Sequence, residues 1–533
     1  MRGRRACALG IAMATTGILR AGLLTVLLLL AGLVMIGVGP VAAQASRLVI
    51  GTPAGPETLD PHMSASLPTW NIARNVFDSL LVRDLKTFGY KPGLAESHRI
   101  INDTTWEFRL RRGVKFHNGE DFNAEAVKFS IERVLNPDQK SPSRGQNVLI
   151  ERVEVVDPYT VRIVTKKPMP MLRERLTSPG YTGTIPMVPP RYIREKGDQH
   201  FAANPVGTGP FRVVKWVKAE YVELEANPGY WGGAPKVKSV IFRTIPEPAT
   251  RVSALLTGEA DIISHVPPDS VELIKKDGRA RISETDVDGI PPHVQYNTMK
   301  GGPLADVRVR QALNSTIDMD LVVKRLLRGH GVQRPLPLDP RAFGYNPNLP
   351  LHKVDLERAR KLLAEAGYPN GQGIPELVFI FPTGGRYLMG EAVAEYVAQQ
   401  FSKVGVRVRL SPGEYGAWLA QMRDKKSYDL GMIGWGGGGR FEVGDTLFFQ
   451  LHSESPFSWL SSSEFDQALD RARETMDPEA RKQLYWKAQE IAYNLAALLP
   501  AHQTNSIYGV RSNVLWEARL GEMILLHEAD RKE

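Results

Sequence analysis

Residues 94–134 read LAESHRIINDTTWEFRLRRGVKFHNGEDFNAEAVKFSIERV, and they contain both kinds of element from which the fold is built. In the first half, apolar residues alternate with polar ones and predict a half-buried strand: Trp106, Phe108 and Leu110. In the second half, Asn123 stands at a helix N-cap. An apolar face with helical spacing follows it: Val127, Ile131, Val134 and Leu135. A strand followed by a helix predicts a mixed α/β fold.

The same signals recur on both sides of this stretch. Residues 47–50 are a short apolar run that ends at a Gly-Thr-Pro turn, which predicts a buried strand. Further helices are predicted to begin after Asp355 and Asp477, because an aspartate at the N-cap satisfies free backbone N–H groups. Pro478 then occupies the first helical position. Several sheets with interspersed helices fit this pattern better than a helix bundle or a barrel.

The N-terminus has the three parts of a secretory signal peptide. Three arginines lie within the first five residues, residues 21–38 carry no charge, and Ala43-Gln44-Ala45 offers a cleavage site. We therefore expect residues 1–45 to be removed on export to the periplasm. The alternative is an uncleaved membrane anchor, since the apolar run is about as long as a membrane span.

Composition narrows the class of protein further. The single cysteine, Cys7, lies inside the predicted signal peptide, so the mature chain is expected to lack disulfides and cysteine metal ligands. The signal peptide carries four arginines and no acid, so its removal lowers the formal net charge from +9 to +5. No basic stripe with interleaved aromatics is present, so nucleic acid is not expected as a partner. The remaining 533 − 45 = 488 residues exceed what one core usually serves, so two or three domains are expected.

Eight segments, in this order, resemble the oligopeptide, dipeptide and nickel class (family 5) of ABC-transporter solute-binding proteins. They are TLDP (58–61), NVFDSL (75–80), residues 94–134, NPVGTGPFRVVKW (204–216), residues 227–262, PLADVRVRQALNSTID (303–318), ARKLLAEAGYP (359–369) and FSKVGVRV (401–408). The likeness extends through nearly all of the chain beyond the signal peptide.

The resemblance implies a two-lobed, type II-like periplasmic-binding fold with an additional domain inserted in the first lobe. The expected boundaries are a first lobe of residues 46–83, 205–290 and 503–533, an inserted domain of residues 84–204, and a second lobe of residues 291–502. It also implies a monomer that holds a small polar or peptide-like solute between the lobes and delivers it to the membrane permease of an ABC importer. No catalysis, cofactor or metal ligand is implied.

Family positions suggest which residues line the first part of the site. The loop with Thr52, Pro53 and Glu57 is expected to form the first-lobe wall, although an ordinary Pro-Gly turn is an equal alternative. Tyr296 and Asn297 resemble the strand that crosses between lobes; core or hinge packing is the alternative. At the position of Tyr415, relatives carry an aromatic residue that packs on the ligand. The neighbouring Trp418 is expected in the core.

The stretch Gly434–Glu442, GWGGGGRFE, departs from the family pattern. Peptide-binding relatives have an aspartate three residues after the tryptophan, where it holds the free amino group of the peptide. Gly438 stands there in this chain and cannot supply that charge-assisted contact. Either Glu442 or Asp445 replaces the missing charge, or the ligand lacks the amine, so unmodified di- and tripeptides are expected to bind poorly. Pocket-lining candidates in this stretch are Trp435, Gly436, Gly437, Gly438, Arg440 and Glu442; the alternative is a flexible loop.

Two arginines and two later residues complete the candidate site. Arg386 and Arg440 could hold a carboxylate or phosphate of the ligand, since a guanidinium pairs with such groups through two hydrogen bonds. A solvated arginine beside a glycine turn is the alternative. His502 and Asn505 are included because the chain re-enters the first lobe there.

Sequence signatures of enzymes are absent. The chain has no G-x-S-x-G nucleophile elbow and no phosphate-binding G-x-x-x-x-G-K-[ST] loop, and its histidines are scattered. The alternatives left open are a receptor for a metal chelate or haem-like molecule and, from a different class, a periplasmic hydrolase or chaperone on the same scaffold.

Overall fold

A computed structural model describes residues 47–85, 87–178, 180–181, 183–285, 292–383, 386–434 and 441–532. The predicted signal peptide lies outside these residues. The strands are β1 (Arg47–Thr52), β2 (Leu81–Arg83), β3 (Tyr90–Pro92), β4 (Ala95–Asn102), β5 (Thr105–Leu110), β6 (Ile150–Asp157), β7 (Thr160–Thr165), β8 (Thr177–Ser178), β9 (Phe211–Val217), β10 (Tyr221–Ala226), β11 (Ser239–Thr244), β12 (Ile262–Ile263), β13 (Ala280–Thr285), β14 (Pro292–Tyr296), β15 (Gly331–Arg334), β16 (Leu377–Pro382), β17 (Val408–Gly413), β18 (Leu430–Gly434), β19 (Ala501–Thr504), β20 (Ser506–Arg511), β21 (Val514–Leu515) and β22 (Asp530–Arg531).

The α-helices are α1 (Leu67–Val76), α2 (Ala124–Leu135), α3 (Arg144–Asn147), α4 (Leu172–Arg175), α5 (Pro190–Lys196), α6 (Asp198–Ala203), α7 (Pro248–Thr257), α8 (Val271–Asp277), α9 (Val307–Asn314), α10 (Met319–Leu321), α11 (Leu356–Glu365), α12 (Gly390–Ser402), α13 (Tyr415–Asp424), α14 (Val443–Leu451), α15 (Ser463–Glu474) and α16 (Pro478–Asn494). Within the described ranges, no helix combines the length and apolar character needed to cross a membrane.

The predicted strand and helix in residues 94–134 are confirmed. β5 lies in a four-stranded sheet of order β4-β5-β7-β6, and Trp106 and Phe108 are buried. The side chain of Asn123 accepts hydrogen bonds from the backbone N–H groups of Glu125 (3.0 Å) and Ala126 (3.2 Å), and so caps α2. The apolar face of α2 joins the same core as β5.

A seven-stranded sheet gathers chain segments from both ends of the sequence, in the order β13-β20-β12-β1-β11-β10-β9. β1 and β12 are parallel, and Gly51 pairs with Ile263. Because parallel strands end at the same edge, Thr52 and the residues after Ile263 lie at one edge of this sheet. Helix α1 packs near that edge with most of its residues buried, including Trp70 and Arg74.

A second four-stranded sheet has the order β14-β18-β16-β17. β16, β17 and β18 run parallel, with Pro382 opposite Gly413 and Phe379 opposite Leu430, and β14 is antiparallel to β18. The carboxyl ends of three strands therefore meet at one edge, the position where open α/β sheets bind ligands. Arg386 and Tyr415 follow the ends of β16 and β17, and Gly434 is the last residue of β18.

Both predicted helix starts outside the central stretch are also confirmed. The side chain of Asp355 accepts from the backbone N–H of Arg358 at 2.8 Å, at the start of α11. The side chain of Asp477 accepts from the backbone N–H of Ala480 at 2.8 Å, at the start of α16. The lobe boundaries given above stay a prediction.

Candidate functional site

Two cavities of about 440 Å³ and 450 Å³ lie where the edges of the seven-stranded and the second four-stranded sheet come together. Both cavities are lined by Leu67 of α1 and by Arg386 and Tyr415 of the second sheet's carboxyl edge. We call the first the aromatic cavity and the second the polar cavity. Each cavity is lined by helix α1 and by the chain at the carboxyl edge of the second sheet, and the polar cavity is also lined by Thr52 of the seven-stranded sheet. Walls from separate parts of the chain are expected of a cleft that closes around a small molecule.

Arg386 stands at the junction of the two cavities. Its Cζ atom lies 5.5 Å from the ring centre of Tyr387 and 5.4 Å from that of Tyr415, within the range of cation–π contacts. Burial disfavours the charged guanidinium, but Tyr387, Tyr415 and Glu522 together outweigh burial and raise the pKa of Arg386. The group is therefore a fixed positive charge in a partly dry site, suited to a carboxylate or phosphate.

Rings from several elements line the aromatic cavity. They are Trp70, Tyr181, Tyr387, Trp418, Phe448, Phe449 and Phe457. The ring centres of Tyr415 and Trp418 lie 5.4 Å apart, and the hydroxyl of Tyr387 accepts the backbone N–H of Gly434 at 2.8 Å. That hydrogen bond holds the end of β18 against the cavity. Tyr415 is 39% exposed, whereas Trp418 is 2% exposed and lies in the core. The two neighbouring rings therefore differ in burial in the expected direction.

The predicted first-lobe loop lines the polar cavity. Thr52, Pro53 and Glu57 are all part of its wall. The hydroxyls of Ser64 and Ser66 donate to the carboxylate of Glu57, and other lining groups are polar as well. A wall of this kind can hydrogen-bond hydroxyl, amide or amine groups of a ligand.

The lining residues that the sequence analysis missed include His265 and Glu522. Both have left-handed backbone conformations, with φ of 55° and 51°, which residues other than glycine rarely adopt. His265 follows β12 and lines the polar cavity, whereas Glu522 follows Gly521 and lines the aromatic cavity. Strained backbone of this kind concentrates at functional sites. Nothing in the sequence around His265 signals this role, and a glycine beside Glu522 is a weak signal.

Tyr296 and Asn297 line neither cavity. The Tyr296 hydroxyl donates to Oδ1 of Asn314 at 2.8 Å, and the residue is 1% exposed. Nδ2 of Asn297 donates to the carbonyl oxygens of Lys425 (2.9 Å) and Tyr428 (3.1 Å). Both residues are buried, and their contact with a ligand stays a prediction.

Glu442 and Asp445, the two candidates to replace the charge missing at Gly438, both have partners within the protein. Oε1 of Glu442 accepts the hydroxyl of Tyr485 at 2.7 Å and lies 3.1 Å from Nε of Arg481. Asp445 forms a buried ion pair with Arg175. Neither residue lines the two cavities, and a role of either in ligand binding stays a prediction.

His502 and Asn505 are separated by the structure. Asn505 lines a small cavity of about 30 Å³ that also touches Arg386, and its Nδ2 donates to Glu284 at 2.6 Å. His502 lies in β19, is 1% exposed, and has no hydrogen-bond partner for either ring nitrogen within the described residues. Burial lowers its pKa to about 4. His502 lines none of the three cavities, and its contact with a ligand stays a prediction.

The remaining candidates, Trp435, Gly436, Gly437, Gly438 and Arg440, lie outside the described residues. A search of the described ranges finds no group of three histidine, cysteine, aspartate or glutamate side chains that could hold a metal ion. The residues that line the two cavities offer hydrogen bonding, charge pairing and aromatic packing.

Comparison with known proteins gives a consistent match. Residues 89–455 match the family described as bacterial extracellular solute-binding proteins, family 5 (middle region). The chain is 29% identical over 499 residues to the dipeptide-binding protein of Escherichia coli K12, covering 87% of this chain and 90% of that protein. It is also 29% identical over 447 residues to the glutathione-binding protein GsiB of Pectobacterium atrosepticum, covering 81% and 84%.

Solved structures show the same architecture. The periplasmic binding protein DppA from Helicobacter pylori, in complex with the peptide STSA, superimposes with a TM-score of 0.80 at 25% identity. That match covers 93% of this chain and 100% of the other. NikZ from Campylobacter jejuni, in complex with Ni(L-His), gives a TM-score of 0.80 at 24% identity over 91% of this chain and all of that one. The predicted fold class, a two-lobed periplasmic-binding-protein fold, is confirmed.

Proposed function

The chain belongs to the family 5 bacterial extracellular solute-binding proteins, and on that premise we propose that it captures a peptide-like or other small polar solute for an ABC importer. Relatives named for binding a dipeptide or glutathione support this class of ligand. Delivery requires a membrane permease as partner. Binding of a solute without its turnover would distinguish this function from the hydrolase alternative. Consumption of the solute would favour an enzyme.

One observation carries the proposal: Arg386 and Tyr415 line both cavities and lie opposite Leu67 of helix α1, which lines both cavities as well. A solute at this position touches both lobes at once. Such a solute binds the closed form better than the open form, and it shifts the equilibrium toward closure by that difference in affinity. Arg386 supplies a charge for the acidic group of the solute, and Tyr415 supplies a ring that packs on it.

We further propose that the protein acts in the periplasm as a monomer after cleavage of residues 1–45. The basic start, the uncharged run of residues 21–38 and the Ala43-Gln44-Ala45 motif support export. The mature formal charge of +5 is spread along the chain, which supports a solute rather than nucleic acid as the partner. Mass measurement of the protein isolated from its host tests the cleavage site.

Native mass spectrometry of the mature protein purified from the periplasm tests the binding function. A stoichiometric small molecule, released on denaturation, supports the proposal, and its mass and charge identify its class. The Arg386→Gln variant should lose most of this molecule, because one partner of a desolvated charge pair is removed. The control is Arg109→Gln, which removes an exposed arginine on β5 far from the cavities.

If Arg386→Gln retains the molecule as well as Arg109→Gln does, the assigned site is wrong. If the protein carries no molecule, a thermal-shift screen of peptides and other polar solutes replaces the first measurement. Failure of every solute in such a screen, combined with turnover of any of them, would overturn the receptor function.

A further inference from the structure

The polar cavity has carboxylates on two different walls. Glu57 lies in the loop after β1 of the seven-stranded sheet, and Glu414 lies between β17 and α13 of the second four-stranded sheet. The two acids therefore belong to different lobes and line the same space of about 450 Å³. Closure brings like charges toward each other across this space, which costs free energy unless a positive charge lies between them.

Both carboxylates are held in place by hydrogen-bond donors. Glu57 accepts the hydroxyls of Ser64, Ser66 and Thr69, the last at 3.2 Å. Oε2 of Glu414 accepts the backbone N–H groups of Gly416 (2.9 Å) and Ala417 at the start of α13. A carboxylate offers about four acceptor sites, so each retains capacity for a further donor. Neither acid requires rearrangement before it can bind a cation.

The positive charge within the described lining of this cavity comes from a single side chain, which also lines the aromatic cavity. Arg386 is the one lysine or arginine among those lining residues, and it stands at the junction with the aromatic cavity. His265 adds no positive charge at neutral pH, because burial lowers its pKa below the usual value. Its Nδ1 atom is buried and has no hydrogen-bond partner among the described residues. The space beyond Arg386 is thus net negative and contains an unused imidazole nitrogen.

The geometry points to a bipolar ligand: its acidic group pairs with Arg386 while an ammonium or guanidinium group occupies the polar cavity between Glu57 and Glu414. This inference rests on the proposed function and specifies the class of solute. The rings around the aromatic cavity, Tyr415 and Tyr387 among them, then receive an apolar or aromatic part of the same molecule. The arrangement also supplies a place for an amine other than position 438.

Matched synthetic probes test the inference. ε-Aminocaproyl-L-phenylalanine has a terminal ammonium, a carboxylate and a phenyl ring, whereas caproyl-L-phenylalanine lacks only the ammonium. A shorter pair, γ-aminobutyryl- and butyryl-L-phenylalanine, varies the distance between the two charges. Isothermal titration calorimetry of ligand-stripped protein should show that at least one amine binds about tenfold more tightly than its neutral partner, because a charge-assisted contact is gained.

Variants assign the preference to the two acids. Glu57→Gln keeps an acceptor for the three hydroxyls, and Glu414→Ser keeps a good N-cap for α13 while removing the charge. In the double variant, the ratio of the affinity for the amine probe to that for its neutral partner should fall to about twofold or less. Caproyl-L-phenylalanine should bind the double variant at least as tightly as it binds the original protein. The control is Glu464→Gln, which removes an exposed acid in the first turn of α15. If the double variant is too unstable to titrate, the same comparison is made with each single variant.

The following results would overturn the inference of a bipolar ligand. Equal binding of the amine and its neutral partner overturns the inference but leaves the receptor function standing. An amine preference that survives the Glu57→Gln/Glu414→Ser double change also overturns it. Binding of neither pair at millimolar concentration contradicts the assigned charge pattern, and the proposed function is then judged separately from the solute that copurifies with the protein.

Discussion

The guanidinium of Arg175 and the carboxylate of Asp445 form two hydrogen bonds of 2.5 Å each across 270 residues of sequence. Their side chains are 1% and 2% exposed. Arg175 ends α4, and Asp445 lies in the first turn of α14. The pair therefore joins the segment predicted as the inserted domain to the segment predicted as the second lobe, in the interior of the protein.

Removing one partner of this pair should strongly destabilise the protein. Arg175→Met leaves the Asp445 carboxylate buried without its charge partner, and we expect a loss of about 3–5 kcal/mol in the free energy of unfolding. Urea denaturation followed by circular dichroism measures this. Replacing both residues, Arg175→Met with Asp445→Leu, should recover much of the loss, because no charge is then left buried.

The control for this pair is the exposed ion pair of Lys275 and Glu272 on α8. Lys275→Ala should change the free energy of unfolding by less than about 1 kcal/mol, because exposed pairs contribute little. A similarly small effect of Arg175→Met would show that the Arg175–Asp445 contact does not persist in solution.

Tyr415 and Trp418 should separate ligand binding from stability. Tyr415 is 39% exposed at the cavity junction, so Tyr415→Ala should weaken solute binding about tenfold and cost less than about 1 kcal/mol of stability. Trp418 is 2% exposed in the core, so Trp418→Ala should cost about 3–5 kcal/mol. Calorimetric titration and urea denaturation of both variants measure the two quantities. Equal losses of stability would contradict this division of roles.

Glu442 should affect stability and not ligand affinity. Its carboxylate accepts from the hydroxyl of Tyr485 and pairs with Arg481, and burial raises its pKa. Glu442→Gln should lower the free energy of unfolding by about 1–3 kcal/mol, because Arg481 loses its charged partner. Affinity for the copurifying solute should stay within about twofold of the original value. A tenfold loss of affinity at unchanged stability would restore Glu442 to the binding site.

His502 should make stability depend on pH. Burial lowers its pKa to about 4 in the folded chain, whereas an unfolded histidine has a pKa of about 6.5. Between these values the unfolded chain binds one proton more, so this contribution is complete above about pH 6.5 and is lost as pH falls toward 4. The loss amounts to about 3 kcal/mol for one such group.

In His502→Leu, the slope of the free energy of unfolding against pH should decrease in that window by the contribution of one proton. The free energy of unfolding at pH 7 should not decrease. Urea denaturation across the pH range measures the slope. For comparison, His62→Gln should also flatten the slope, since burial lowers the pKa of His62 to about 4. It should cost stability at pH 7, because His62 bonds to the carbonyl of Pro186 at 2.8 Å and to Arg133 at 3.1 Å. An unchanged slope in His502→Leu would show that His502 is protonated equally in both states.

Local patterns in the sequence predicted the elements well. Asn123, Asp355 and Asp477 cap helices as expected, because an N-cap contact joins residues only two or three positions apart. The alternation that ends at Leu110 placed β5 correctly for the same reason: the two faces of a strand are read from consecutive residues. Family resemblance then selected Arg386 and Tyr415, which the structure brings to one junction.

What the sequence by itself determined about this protein is its family, its two-lobed fold class and the starts of its main helices. Tertiary structure alone decided the composition of the site. His265, Arg386 and Glu522 come from three distant segments and line one cavity. His265 follows β12 and Arg386 follows β16, which are parallel strands of two different sheets, and Glu522 comes from the C-terminal segment. The pairing of Asp445 was also decided by tertiary structure, because its partner Arg175 is 270 residues away in the sequence. A carboxylate in a sequence has no assigned role until folding brings a charge next to it, because electrostatic pairing depends on distance in space and not along the chain.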